Sequence, residues 1–264
     1  MQPILIATAA VAIIGLLIGL LLVTVGKKFK VETDPREAAV REALPGNNCG
    51  GCGYAGCDAM AAAIVSGQAP VNGCPVGGSA VAEKIARIMD VETVAAEKKA
   101  AFVKCSGDCE HAAAKSHYVG IEDCASALAS GLSSKSCDYG CLGFGSCANV
   151  CGFGAICVVD GLARIDRSKC VACGKCVAVC PRHLIELVPK SAAFAVRCSN
   201  KDRGPAVKKV CSAGCIGCKL CEKQCENEAI SVENNISHID YEKCVGCGKC
   251  AEKCPVKAIY LTFP

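Results

Sequence analysis

Apolar residues in this chain form one long unbroken run, which is followed by short periodic segments. The run extends from Pro3 to Gly26 without a charged residue, and about 20 apolar residues suffice for one helix across a bilayer. We therefore predict a transmembrane anchor over residues 1–26. A secretory signal peptide is the alternative, but no Lys or Arg precedes the run, and the run is longer than a typical signal core.

Positive charge follows the apolar run at Lys27, Lys28 and Lys30, whereas the N-terminal side of the run carries none. Because segments rich in Lys and Arg stay in the cytoplasm, we expect a single-pass protein of the cell membrane whose soluble domains lie on the cytoplasmic side. Thiols stay reduced in that compartment.

Helical and strand-like patterns follow one another in the soluble part. Residues 27–48 predict a linker with one short helix, and Ser79–Lys104 predicts a longer helix within a helical connector over 79–136. The sequences ARID at 163–166 and SHID at 237–240 predict strands, and we expect a short helix and a strand after each CP pair. The expected fold class is α+β.

The C-terminal half is a tandem repeat. Eight cysteines of the first copy recur 74 residues later, and the intervening residues agree, as in KCVACGKCVAVCP and KCVGCGKCAEKCP. We predict two equivalent modules, over 137–190 and 191–264. Upstream, VKCS at Cys105 resembles VRCS at Cys198, and this offset of 93 is 19 residues longer than the others. The first copy therefore contains an insertion, in or near which Cys109 and Cys124 lie.

Composition shows that this chain cannot rely on an ordinary hydrophobic core. It has 26 cysteines in 264 residues, its aromatic residues amount to 4%, and Trp is absent. Either disulfides or bound metal must therefore stabilise the fold, and a reducing compartment favours thiolate ligands for metal. The net charge of +4 comes from interspersed acidic and basic residues. This balance gives no reason to expect a nucleic-acid partner.

The spacing of the cysteines in the second copy favours iron–sulfur clusters over zinc. Two runs of C-x2-C-x2-C-x3-C each place three thiolates on one cluster and supply the fourth to its neighbour, as in two-cluster bacterial ferredoxins. Zinc typically takes two cysteine pairs separated by a longer loop, which explains three evenly spaced thiols poorly. We assign one [4Fe–4S] cluster to Cys215, Cys218, Cys221 and Cys254, and a second to Cys225, Cys244, Cys247 and Cys250.

The first copy departs from this pattern, because Phe144 occupies the position of Cys218. Cys137, which lies four residues before Cys141, could supply the missing thiolate. The expected ligand sets are Cys137, Cys141, Cys147 and Cys180 for one cluster, and Cys151, Cys170, Cys173 and Cys176 for its neighbour. We expect both copies to be ferredoxin-like two-cluster modules.

A different pattern precedes the modules in residues 49–78, where NNCGGCGYAGC is followed by NGCP. The glycines let the backbone wrap closely and turn its amides toward bound sulfide. We expect a small helical domain that binds one [4Fe–4S] cluster, with zinc as the alternative, so that the chain holds about five clusters. The ligands would be Cys49, Cys52, Cys57 and Cys74.

Six cysteines remain outside these sets: Cys105, Cys109, Cys124, Cys157, Cys198 and Cys211. Cys157 aligns with Ser231 in an apolar, strand-like run, which predicts a buried free thiol. A sixth cluster would form on Cys105, Cys124, Cys198 and Cys211 if the two copies packed face to face. Packed free thiols are the alternative.

Motifs for catalysis at an organic substrate are absent from the sequence. It has no GxGxxG at a strand-to-helix turn, no P-loop and no HExxH, and its four histidines are scattered. We assign no catalytic residue and expect any reaction of an organic substrate in another subunit. A zinc-based interaction scaffold is the alternative that lacks redox chemistry.

The order of apolar helix, CGGCGYAGC with its downstream CP, and paired cysteine modules resembles the B subunit of the Rnf complex, an ion-translocating ferredoxin:NAD oxidoreductase. The duplicated two-cluster module is similar to the long form of this subunit. The resemblance implies an electron-transfer subunit of an oxidoreductase and translocase, with soluble ferredoxin and the other membrane and peripheral subunits as partners. It also implies NAD reduction coupled to movement of Na⁺ or H⁺. An iron–sulfur subunit of another membrane reductase, for corrinoid or quinone, would share the repeats.

Overall fold

Short elements follow one long helix, because glycines, prolines and closely spaced cysteines interrupt the later apolar patterns. The computed structural model describes residues 2–28, 34–92 and 97–262, and within 2–28 the side chains of residues 12–25. The helices are α1 (Gln2–Lys28), α2 (Pro35–Ala43), α3 (Cys57–Val65), α4 (Gly78–Met89), α5 (Cys124–Ala129), α6 (Ser146–Asn149), α7 (Lys175–Val179), α8 (Gly204–Val210), α9 (Leu220–Lys223) and α10 (Lys249–Glu252). The strands are β1 (Lys99–Val103), β2 (Ile156–Val159), β3 (Leu162–Ile165), β4 (Ile185–Pro189), β5 (Phe194–Val196), β6 (Ile230–Glu233), β7 (Ile236–Ile239) and β8 (Ile259–Leu261).

The first helix covers the apolar run of the sequence. Its described side chains are exposed, including large apolar ones such as Leu16 and Leu22. Among the described residues, no helix combines the length and the apolar character that a membrane crossing requires. The lysines on which the predicted sidedness depends, Lys27, Lys28 and Lys30, lie outside the residues whose side chains are described.

Helices α2, α3 and α4 form a small helical unit. Asp34 caps α2 by accepting a hydrogen bond from the Arg36 N–H at 2.8 Å, and a proline occupies the first turn. This is the one short helix predicted within 27–48. The core of the unit consists of aliphatic side chains from all three helices, among them Val40, Ile64 and Ile85.

The two modules have the same architecture of paired antiparallel strands. In the first module β1 pairs with β4 and β2 with β3, and in the second β5 pairs with β8 and β6 with β7. The predicted ARID and SHID strands are β3 and β7. The short helices of the cysteine motifs, α7 and α10, precede the CP pairs, whereas turns follow those pairs where helices were predicted. The repeat in the sequence is therefore a repeat of the fold.

The helix predicted over Ser79–Lys104 is confirmed only in its first half. α4 ends at Met89, where Asp90 adopts the left-handed conformation with φ 53°. After residues 93–96, which lie outside the described part of the chain, Lys99–Val103 forms β1. Four of its five residues are buried, because the strand lies inside the first module. The segment predicted as a helical connector thus supplies a strand to that module.

The two modules pack against each other. Phe102 and Val188 of the first module and Ala195 of the second form a buried cluster, and the Ser199 hydroxyl donates to the Lys104 carbonyl oxygen at 3.0 Å. This packing brings the segments around Cys105 and Cys198 together at the seam between the modules. The repeat aligns these two cysteines.

Candidate iron–sulfur sites

All 26 cysteines are free thiols. Four groups of four cysteines each line one cavity, and in two further groups three thiols interact. When Cys57 and Cys218 are assigned to these two groups as the sequence predicts, all but two of the cysteines belong to a group. The other two, Cys109 and Cys157, are exposed. Cys157 lies on β2, which confirms the predicted strand, but the prediction of a buried thiol was wrong. Its side chain lies on the solvent face of the β2–β3 hairpin.

The first group lies at one end of the helical unit. Cys49, Cys52 and Cys74 lie close together, and Cys57, the fourth residue of the set expected from the sequence, packs against the same core as Cys52 and Cys74. Cys57 begins α3, and its backbone N–H donates to Asn48 Oδ1 at 2.8 Å, which ties down the loop that carries the earlier cysteines. Burial and the neighbouring sulfurs of Cys52 and Cys49 raise the pKa of the Cys74 thiol. The structure therefore brings these thiols close together.

In the second module, one group of four cysteines lines a cavity beside β6 and α10. Its members are Cys225, Cys244, Cys247 and Cys250. Burial and the sulfurs of Cys244 and Cys247 raise the pKa of the Cys250 thiol to about 11. The Ala229 N–H donates to the Cys225 sulfur at 3.3 Å. Three members come from one motif and Cys225 from the other, as the ferredoxin rule predicts.

The other group of the second module also fits the ferredoxin rule, in which three cysteines come from one motif and the fourth from the other. Burial and the sulfurs of Cys215 and Cys254 raise the pKa of the Cys221 thiol. The Ser237 hydroxyl lies 3.1 Å from the Cys221 sulfur. The fourth expected member, Cys218, is exposed.

In the first module, the group on the central motif lines a cavity of its own. Its members are Cys151, Cys170, Cys173 and Cys176. Burial and the sulfurs of Cys170 and Cys173 raise the pKa of the Cys176 thiol to about 11. The Ala101 N–H of β1 donates to the Cys170 sulfur at 3.3 Å. A strand that was predicted as helix thus helps to form this site.

The other group of the first module differs in one member from the expected set. The cavity is lined by Cys124, Cys141, Cys147 and Cys180. Burial and the sulfurs of the other three members raise the pKa of the Cys147 thiol to about 12. Cys124 begins α5, which Asp123 caps through the Ser126 N–H at 2.9 Å. The Ser146 hydroxyl accepts from the Cys124 N–H at 2.8 Å and donates to Asp123 at 2.7 Å, so the insertion is fixed against the cysteine motif.

Cys137 lies instead at the seam between the modules. There a cavity is lined by Cys105, Cys137, Cys198 and Cys211, which we call the inter-module site. All four thiols are buried. Burial and the sulfurs of Cys105 and Cys137 raise the pKa of the Cys211 thiol. Each module supplies two cysteines, and the repeat aligns Cys105 with Cys198 and Cys137 with Cys211, so the site is nearly symmetric.

Backbone amides converge on the sulfurs of these groups. At equivalent positions of the two modules, the Leu184 N–H donates to Cys180 at 3.4 Å and the Ala258 N–H donates to Cys254 at 3.3 Å. Four thiols around one cavity, with N–H groups directed at their sulfurs, fit an anionic [4Fe–4S] cluster. Within the described residues, no three Cys, His, Asp or Glu side chains converge closely enough for a single metal ion.

Contacts between neighbouring groups connect the sites into a series. The Cys141 N–H donates to the Cys105 sulfur at 3.4 Å, which joins the first module to the inter-module site. The backbone and the sulfur of Cys215 lie close enough to Cys198 to influence the pKa of its thiol, which joins that site to the second module. In each case the backbone of a cysteine in one group contacts a sulfur of the next group.

The helical unit meets the first module at Gly51. A Cβ atom at this position would lie 2.6 Å from the Cys173 carbonyl oxygen and 2.9 Å from the Cys173 Cα. Only glycine allows the two backbones to approach this closely. The first group of cysteines therefore lies directly beside the group that contains Cys173.

We expect Gly51→Ala to weaken this contact by about 1–3 kcal/mol, because the added methyl group must displace backbone atoms. Hydrogen exchange of peptides covering 49–57 and 170–176 should become faster in the variant. Gly152→Ala is the matched control, since a Cβ there meets no atom within 4 Å. Equal exchange in Gly51→Ala and the unsubstituted protein would contradict the contact.

The alignment of the two copies indicates the inter-module site and the role of Cys124, although the spacing within each motif does not. In the second copy Cys198 and Cys211 lie outside the two ferredoxin motifs, and Cys105 and Cys137 are their aligned counterparts. Pairing these four by symmetry leaves Cys124 to replace the thiolate lost at Phe144. Phe144 itself packs against Tyr118, with ring centroids 4.8 Å apart.

Two families of iron–sulfur domains match parts of the chain. The iron–sulfur cluster family FeS matches residues 44–76, and the 4Fe-4S binding domain family matches residues 163–186 and 237–260.

Several proteins of known name are similar to nearly the whole chain. The chain is 46% identical over 260 residues to the B subunit of the Na(+)-translocating ferredoxin:NAD(+) oxidoreductase complex of Acetobacterium woodii, covering 98% of this chain and 78% of that protein. It is 44% identical over 254 residues to the B subunit of the ion-translocating oxidoreductase complex of Methanosarcina acetivorans, covering 96% of each. It is 42% identical over 242 residues to the B subunit of the proton-translocating ferredoxin:NAD(+) oxidoreductase complex of Clostridium ljungdahlii, covering 91% of this chain and 85% of that protein.

Proposed function

Because the chain belongs to the family of B subunits of Rnf-type ion-translocating oxidoreductase complexes, we propose that it carries electrons from reduced ferredoxin into such a complex. There NAD would be reduced and Na⁺ or H⁺ moved by partner subunits. The chain is an iron–sulfur electron-transfer subunit. It supplies no catalytic side chain of its own in this proposal.

The observation that carries the proposal is the connected series of four-cysteine groups. It leads from the second module, through the inter-module site and the first module, to the helical unit. Each group would hold one [4Fe–4S] cluster, which supplies a one-electron carrier. The protein's own part is to fix the spacing of the groups and to direct N–H donors at the sulfurs.

Six clusters follow from these groups, one more than the cysteine spacing predicts. Four of the proposed ligand sets are those expected from the sequence, and two of these four line one cavity each. The two others are Cys124, Cys141, Cys147 and Cys180 in the first module, and Cys105, Cys137, Cys198 and Cys211 between the modules. The latter differs from the sixth set expected from the sequence by having Cys137 in place of Cys124.

The exposure of individual cysteines indicates in which direction electrons would pass along the series of sites. In the second module Cys218 and Cys247 are exposed, and Val245 beside Cys247 is 70% exposed, so a soluble ferredoxin could approach these groups. In the first module the backbone of Cys173 is covered by Gly51. We therefore place electron entry at the second module and exit at the helical unit, next to the N-terminal helix.

We propose that the apolar run from Pro3 to Gly26 attaches the chain to the membrane as a single-pass anchor, with the cysteine groups on the cytoplasmic side. The exposed apolar side chains of α1 support attachment, and the lysines after the run support the orientation. This arrangement would keep the thiols in a reducing compartment.

Anaerobic purification of the native complex tests the function. We expect this chain to co-purify with partner subunits from washed membranes, and reduced ferredoxin to drive NAD reduction by the complex. Cys247→Ala should abolish that activity, whereas Cys157→Ala, at an exposed cysteine outside the groups, should preserve it. Transfer to a corrinoid or quinone acceptor without NAD reduction would contradict the proposal and favour another membrane reductase.

A further inference from the structure

One buried cation lies against the inter-module site. Lys135 is 5% exposed and lines the same cavity as the four cysteines. Its Nζ donates to the carbonyl oxygens of Gly107 and Gly161, each at 2.6 Å. Both acceptors carry no formal charge. A buried ammonium is costly unless negative charge balances it, and the thiolates of this cavity are suited to provide that charge.

The other charged groups around the cavity do not cancel this positive charge. Arg197 also lines the cavity and adds a second cation. The buried acid nearby, Asp108, has partners of its own, since His111 Nδ1 lies 2.6 Å from its carboxylate and Arg164 lies 3.7 Å from it. Two cations, Lys135 and Arg197, therefore line the cavity, whereas the one acid whose charge acts on a thiol of the site, that of Cys211, is Asp108, which is paired with His111 and Arg164.

Lys135 also breaks the near symmetry of the site. Its counterpart in the second copy, 74 residues later, is Lys209, which is exposed on α8. The two cysteine pairs are equivalent by position, but only the first module places this lysine inside. Lys135 also lies near the next group, where its charge opposes the increase that burial causes in the pKa of the Cys141 thiol.

We propose that Lys135 is a positioning residue for electron transfer, whose buried ammonium raises the reduction potential of the inter-module site. The inference rests on the proposed [4Fe–4S] cluster at Cys105, Cys137, Cys198 and Cys211. Reduction adds one electron from the reductant without forming or breaking a bond, and the added negative charge is stabilised by a nearby cation in a low-dielectric interior.

Potentiometric titration monitored by EPR tests this inference on the full chain. The signal that Cys198→Ala lacks identifies the inter-module centre. We expect the midpoint potential of this signal to shift to more negative values in Lys135→Met. In Lys135→Arg, which keeps the charge, the midpoint potential should stay near the value of the unsubstituted protein. The same is expected for Lys209→Met, which removes the exposed counterpart.

Iron content per chain, measured beside the midpoint potential, distinguishes an effect of charge from loss of the cluster. An unchanged midpoint in Lys135→Met at full iron content would overturn the role of Lys135 and leave the proposed site intact. Loss of the signal in Lys135→Met with retention in Lys135→Arg would support a charge requirement. Loss in both variants would indicate a structural role only and overturn the inference. An unsubstituted chain with about 20 iron atoms, four for each of five clusters, would remove the site itself and the inference with it.

Discussion

Paired cysteine substitutions should remove either one cluster or two, depending on whether the two side chains share a cavity. We expect Cys137→Ala/Cys198→Ala to lose about four iron atoms per chain, because both residues belong to the inter-module site. Cys124→Ala/Cys198→Ala should lose about eight, because these residues belong to different sites. Iron and acid-labile sulfide, measured after anaerobic purification, give both numbers.

The same two double variants distinguish the grouping found in the structure, with Cys124 beside Cys141, from the grouping that cysteine spacing predicts, with Cys137 in that place. If Cys137 replaced the thiolate lost at Phe144 and Cys124 belonged to the sixth set, the two losses would be reversed. Cys109→Ala/Cys157→Ala is the control, since both thiols are exposed and outside the groups. It should retain the full iron content. The reversed result would contradict the assignment of Cys124 to the first module.

Removal of iron should unfold both modules while the helical unit keeps its fold. Cysteines are part of the module cores, for example Cys147 and Cys176 in the first and Cys221 in the second, and the strands have only three to five residues. Cluster binding therefore supplies much of the folding free energy there. The helical unit instead has an aliphatic core that includes Ile64 and Ile85.

Hydrogen exchange of the full chain before and after anaerobic chelation measures this difference. The Arg197 N–H, which donates to the Ala258 carbonyl oxygen at 2.8 Å, should lose protection by about 100-fold or more, equivalent to about 3 kcal/mol. Amides in the middle of α3 should change much less. Retained protection in both modules after complete loss of iron would show that their apolar residues suffice.

Local cysteine spacing predicted most of the sites because each cluster takes three ligands from one short motif. The motif fixes those thiols regardless of the rest of the fold, and two of the sets expected from it line one cavity each in the structure. The fourth ligand of an ordinary ferredoxin cluster also follows from the motif. The two-strand hairpins were predictable for a similar reason, since ARID and SHID adjoin the motifs they support.

Contacts over long sequence distances were not predictable in this way. Cys124 reaches the first module through the insertion, and the hydrogen bond between Ser146 and Asp123 that helps to hold it joins residues 23 apart. β1 has an apolar sequence compatible with a helix, and pairing with β4 decides its conformation. The inter-module site depends on how two modules pack, which no local pattern contains. Alignment of the two copies would have indicated it.

Iron and acid-labile sulfide per unsubstituted chain, purified without oxygen, test most directly that this protein is a series of six cluster sites. The groups predict about 24 iron atoms and about 24 sulfides, four of each for every site. A value of about 20 would contradict the inter-module site and break the connected series between the modules. A preparation with zinc and no acid-labile sulfide would contradict the electron-transfer function as a whole.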